Sequence, residues 1–228
     1  MALLIIALFL VALLAFLPSL WVQRVIARHS AERPDFPGTG GQFARHVLDE
    51  MNLRHVRVEA TEIGDHYDPE EKVVRLAPKH LDGRSLSAVV IAAHEVGHAM
   101  QDATGYRPLK ARTTLAKQAH RIQQVGSILM LGAPLVMIFS RSPHLLMMEI
   151  LAGALIIGTT ALMHLTTLPV EFDASYRRAL PLLQVGGYLS ERDLIAARRI
   201  LKAAALTYVA AAARSMLDIA YWLRVLRF

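Results

Sequence analysis

Cysteine is absent from all 228 residues. Disulfides and thiolate metal sites are therefore excluded, and any metal must sit on His, Asp or Glu. The absence also fits a reducing compartment. Charge is scarce as well: Lys, Arg, Asp and Glu make up 19% of the chain against 54% hydrophobic residues. With a mean hydropathy of +0.36, the chain is too apolar for an ordinary soluble domain. No repeat or low-complexity segment stands out. The net charge of +6 comes without an aromatic-interleaved basic patch or a nucleic-acid motif. Nucleic acid is therefore not an expected partner, and the basic balance reads as membrane-facing.

What is present is distributed unevenly. Residues 2–22 are almost unbroken apolar residues, and about 20 suffice to cross a bilayer. The run lacks the positive start of a signal peptide, so it reads as a first transmembrane helix with Trp21 as an interfacial anchor. Residues 23–124 read as a soluble, mixed-charge region. Residues 125–168 hold two apolar stretches separated by Arg141-Ser-Pro-His144, the pattern of a transmembrane helical hairpin. Residues 169–228 form a C-terminal helical region. Its last part, 203–228, is either a fourth span with an internal Arg214–Asp218 pair or an amphipathic helix at the interface.

Within the soluble region, Phe43, Ala44, Val47 and Leu48 mark a helix over residues 42–51. Residues 55–60 and 72–76 alternate as strands, and Asp68-Pro-Glu-Glu71 supplies turn chemistry, so a β-hairpin is expected. The fold class is then a mainly α membrane protein of α+β type.

The stretch Ile91-Ala-Ala-His-Glu-Val-Gly-His-Ala-Met100 follows this hairpin. On a helix His94 and His98 share one face and can share one metal ion, with Glu95 beside them to hold a water: the H-E-x-x-H arrangement of zinc peptidases. The helix is expected to start at Ser85 or Ser87 and to end near Gly105. Val89, Ala93, Val96 and Met100 would form its core face. Gly97 in its interior costs about 1 kcal/mol relative to alanine, which predicts close packing of another element there.

Zinc needs a third protein ligand and leaves a fourth position for water. Two membrane crossings return the chain to the side it left, so a residue just after 168 can face the histidines. Glu171, in the first turn of a helix opened by Pro169, is the leading candidate, with Asp173, His164 and His66 as competitors. In Asp65-His-Tyr-Asp68, an edge strand would place His66 or Tyr67 to stabilise an oxyanion. Arg24, Arg28, Arg33, Lys117, Arg121, Arg177 and Arg178 all flank the spans on the motif's side. The positive-inside rule then places the active site in the cytoplasm.

The run Ala92–Gln101 resembles the YugP-like neutral zinc metallopeptidases of bacterial membranes. So do Asp65–Pro69, Val74–Leu76 and Leu168–Ser175, and the likeness extends from the first span to Val209. It implies a zincin-like region, one zinc ion bound by His94, His98 and Glu171, and Glu95 as catalytic base, as in gluzincins. More distantly the chain is similar to HtpX-type and CAAX prenyl membrane proteases, whose metal-binding Glu lies in E-x-x-A-D. Here Ser175 replaces that Asp, and Asp173 is a candidate substitute, so both become candidate supports for a ligand histidine.

The expected function is a membrane-bound zinc endopeptidase acting on membrane-associated or misfolded proteins. Its expected place is the bacterial cytoplasmic membrane, multi-pass, with a peptide substrate and the lipid bilayer as partners. Oligomerisation and partner proteins stay open. The rival is a non-catalytic zinc-binding membrane scaffold or regulator.

Overall fold

The structure, a computed structural model, describes residue 17, residues 20–140 and residues 143–206. The expected span at 2–22 lies outside the described residues apart from residue 17 and residues 20–22. The candidate fourth span lies outside them beyond residue 206. The described chain is mostly helical with one small sheet.

The motif helix, α4 (Leu86–Ala103), is the centre of packing. Ser85 caps it, its side chain accepting from the Ala88 N–H at 3.2 Å. At the other end Gly105 adopts a φ of +66°. The Tyr106 N–H then bonds Gln101 O and the Gly105 N–H bonds Asp102 O, a Schellman ending. The expected single core face needs correcting. Every residue from Ser85 to Ala99 is buried, whereas Met100 is only partly so. Small residues on all sides (Ala88, Ala92, Ala93, Gly97 and Ala99) let neighbours close in around the whole helix.

A short helix, α1 (residues 20–27), precedes α2 (Gly40–Glu50). Thr39 and Gln42 form a reciprocal capping box at the start of α2, and Ala44, Val47 and Leu48 turn inward. Gly40 sits where a Cβ would lie 2.3 Å from the His80 carbonyl oxygen, so only glycine lets α2 approach. His80 belongs to α3 (Pro78–Leu81).

The expected two-stranded hairpin is instead a three-stranded sheet of β1 (Arg57–Ala60), β2 (His66–Asp68) and β3 (Val73–Leu76), in the order β1-β3-β2. β1 runs parallel to β3, pairing Arg57 with Val73, and β2 is antiparallel to β3. A parallel pair cannot be closed by a tight turn, so β2 occupies the connection and becomes the edge strand. The turn chemistry belongs to β2 and β3, where the Asp68 side chain accepts from the N–H groups of Glu70 and Glu71. Three residues of β2 are too few for alternation to reveal a strand.

α5 (Arg107–Ser140) and α6 (Pro143–Phe172) form a helical hairpin. They meet at Gly126, where a Cβ would lie 2.3 Å from Ile156 Cδ1. Pro169 does not start a helix as expected, because α6 runs through it. The Thr167 hydroxyl donates to Met163 O at 2.8 Å just upstream, and the helix loosens just downstream into a π-helix, Asp173–Ala179. α7 (Leu180–Val185) continues from it. α8 (residues 191–206) begins at Ser190, whose hydroxyl accepts from the Asp193 N–H at 3.2 Å. Among the described residues one helical stretch, Leu151–Val185, is long and apolar enough to cross a membrane.

Candidate metal centre

His94 and His98 lie one turn apart on α4, their rings edge to face with centroids 4.7 Å apart. Glu171 reaches them from the end of α6, 77 positions beyond His94. Its Oε2 lies 3.1 Å from His94 Nε2 and 3.6 Å from His98 Nε2. All three residues are buried, and their candidate ligand atoms lie within 4.8 Å of one another.

The packing expected at Gly97 is what brings Glu171 in. A Cβ at Gly97 would lie 2.9 Å from Ala174 O, so the glycine lets the π-helix rest on the motif helix. The looser winding turns Ser175 inward, where its hydroxyl lies 3.1 Å from His94 Nδ1. Ser175 thus contacts the His94 ring directly.

His98 is held through a relay. Its Nδ1 lies 2.9 Å from Gln101 Oε1. The Gln101 amide nitrogen donates to Val170 O at 2.8 Å and to Asp173 Oδ2 at 2.9 Å. With both amide hydrogens used, Gln101 Oε1 can only accept. His98 must therefore donate from Nδ1, which leaves the Nε2 lone pair aimed at Glu171. Asp173 acts on the histidine through Gln101, and Arg178 Nε in turn donates to Asp173 at 2.8 Å. Gln101 escaped the sequence reading although it stands at i+3 from His98 on the same helix face. Arg178, read as a membrane flank, is tied into this relay.

The histidines, Glu95 and Glu171 line a cavity of about 240 Å³ with Asp65, His66, Tyr67 and Arg112. His66 is held through Nδ1, 2.8 Å from Gly64 O. The Tyr67 hydroxyl donates to Asp102 at 2.7 Å, and Asp102 also pairs with Lys72. Asp65 accepts from the Ala77 N–H and lies 2.7 Å from His80 Nδ1. Burial alone would raise the Asp65 carboxyl, but the His80 contacts and the Ala77 bond outweigh it and hold it below the usual carboxylate range. Arg112, which the sequence did not single out, lies 3.6 Å from Glu171 Oε1.

Glu95 is 6% exposed and makes no hydrogen bond among the described residues. Burial pushes its carboxyl up to about 7, with Glu171 and Asp65 adding to the rise against the pull of His94 and Arg112.

These residues fit a zinc ion. Glu171 Oε1 is a buried acceptor without a hydrogen-bond partner, with Arg112 in ion-pair range at 3.6 Å, so it keeps lone pairs that a metal between it and the two imidazoles would satisfy. Two nitrogens and one oxygen suit zinc, whereas calcium and magnesium want oxygen throughout. Three protein ligands also leave one tetrahedral position open. The competing ligands Asp173 and His66 are not part of this group.

The chain matches the family described as "Putative neutral zinc metallopeptidase" over residues 4–227. It is 34% identical over 208 residues to the "Putative membrane protease YugP" of Bacillus subtilis (strain 168), covering 90% of this chain and 88% of that protein. No solved structure matches the chain. The chain belongs to this neutral zinc metallopeptidase family.

Proposed function

We propose that this member of the family is a membrane-bound zinc endopeptidase in which His94, His98 and Glu171 hold the metal and Glu95 is the catalytic base. The observation that carries this reading is the convergence of both imidazole Nε2 atoms on one buried Glu171 oxygen, with a free carboxyl next to them. When bound, zinc supplies Lewis acidity that acidifies a water and polarises a peptide carbonyl. Glu95 takes the proton of that water and later delivers it to the leaving amine. Burial raises the Glu95 carboxyl, the direction that suits a group which must also give its proton back. Gln101 fixes the His98 tautomer, and Ser175 orients the His94 ring. His66 Nε2 is a candidate donor to the oxyanion, with Arg112 beside it although paired with Glu171, because the Tyr67 hydroxyl is engaged by Asp102.

The non-catalytic scaffold gains no support from this site. A closed structural centre has no use for a fourth position or for an unbonded Glu95.

The proposed setting is a multi-pass chain in the cytoplasmic membrane with its active site on the cytoplasmic side. In the most apolar window of Leu151–Val185 the mean hydropathy is 1.6 and only 7% is buried, which suits a lipid-facing helix better than a core helix. The proposed divisions are a first span at 2–22, a catalytic region at 23–124, a membrane hairpin at 125–168 and a C-terminal region at 169–228. Membrane-associated or misfolded proteins are the proposed substrates, because the metal cavity is walled by α1 and α8, next to the apolar ends of the chain.

The test is zinc-loaded protein assayed on an unfolded substrate beside Glu95→Gln. The expected result is a loss of at least about 100-fold in the variant, the worth of a general base, with zinc content unchanged. Equal cleavage by both proteins would overturn the assignment.

A further inference from the structure

A second cavity, of about 1020 Å³, lies against the same two helices as the metal cavity. Four arginines line it: Arg28, Arg33, Arg192 and Arg199. Its only carboxylates among the described lining residues are Asp35 and Asp193. Both are bound by Arg33, whose Nη1 lies 2.6 Å from Asp193 Oδ1. Arg28, Arg192 and Arg199 are exposed and make no ion pair among the described residues. The cavity is thus a concave wall with three uncompensated guanidinium groups. Ile195, 59% exposed, adds an apolar surface beside them.

We propose that this cavity binds a phosphate-bearing anion, supplied by the headgroup of an anionic phospholipid. Guanidinium groups bind phosphate oxygens in pairs, and three of them with no protein partner leave that capacity unused. Position selects the lipid as the source. Arg28 follows Val22, the end of the apolar run, by six residues, about 9 Å along a helix. An arginine side chain can reach back over that distance to a headgroup layer about 5–7 Å thick. The neighbouring Ile195 suits an amphiphile better than a free ion.

The consequence for the metal site follows from shared helices. In α1, Val22 and Ile26 wall the metal cavity, and Arg28, the first residue after that helix, lines the second one. In α8, Ile200 and Leu201 wall the metal cavity, while Arg192 and Arg199 line the second. An anion bridging Arg28 to Arg192 and Arg199 ties α1 to α8 and holds the apolar wall beside the metal. Anionic lipid therefore stabilises the chain and promotes cleavage, the latter point resting on the peptidase reading.

The experiment places the full chain in nanodiscs of phosphatidylcholine with or without phosphatidylglycerol, beside an Arg192→Gln/Arg199→Gln variant. Two quantities are read: unfolding temperature, and cleavage of an unfolded substrate. Phosphatidylglycerol should raise the unfolding temperature of the wild type and its cleavage rate on the order of fivefold, the size of one arginine–headgroup contact. The variant should match wild type in phosphatidylcholine and lose most of both responses. Equal behaviour in the two lipids, or a variant that responds like wild type, would overturn the site. Inorganic phosphate or soluble glycerol phosphate reproducing the effect in phosphatidylcholine would overturn the lipid source. Absence of Glu95-dependent cleavage in every lipid would sink the peptidase reading alone, because the unfolding temperature still tests the site.

Discussion

Gln101 has the role that a reading confined to the motif overlooks. Its amide locks the His98 tautomer, and a leucine of similar size cannot do so. Gln101→Leu should therefore weaken zinc binding 10–100-fold, as removal of a partner behind a metal-bound histidine does. Competition with a chromophoric chelator measures it, and unchanged affinity would remove Gln101 from the relay. Asp65 offers a test by pH. Its carboxyl is held low in the folded state by the His80 contacts and the Ala77 N–H. The stability it contributes is present above the unfolded carboxylate pKa, about 3.9, and is lost as pH falls through the lower folded value. The unfolding temperature of wild type should accordingly drop more steeply below about pH 4 than that of Asp65→Asn, which lacks the titrating group. Parallel curves would refute the point.

At the scale of elements, the seating of the π-helix on α4 sets the site. Gly97→Ala should gain about 1 kcal/mol of helix propensity but push against Ala174 O, an overpacking cost of about 1–3 kcal/mol. The expected outcome is a lower unfolding temperature together with reduced zinc occupancy, since the same backbone carries Glu171 and Ser175. A variant with full occupancy would show that the close approach is dispensable. This element also marks where sequence reasoning stopped. His94, Glu95 and His98 were readable because their spacing is local, and Gly97 because a glycine inside a helix demands a reason. Glu171 came from topology and resemblance. The π-helix left no periodic signature, since one loosened turn between two regular helices changes no residue type. The parallel pairing of β1 with β3 was hidden for a related reason: strand alternation does not state direction, and the three residues of β2 were too few to announce the strand that lies between them in sequence.

At the largest scale, the described residues wrap the metal motif in a packed core and include a long helical hairpin. If that hairpin lies in the membrane as proposed, a reporter active only in the periplasm and fused after Gln124 should stay inactive. An active fusion would reverse the orientation. The hairpin has a further consequence. His94 and His98 precede it and Glu171 follows it, so a growing chain has two ligands early and waits for the third. Until α5 and α6 have been made, the third ligand is missing and the histidines hold a metal less tightly. Complete metal capture therefore requires the hairpin between the ligands to be made. On the peptidase reading proposed above, the separation of the ligands along the chain keeps a partial chain from acting before its third ligand arrives.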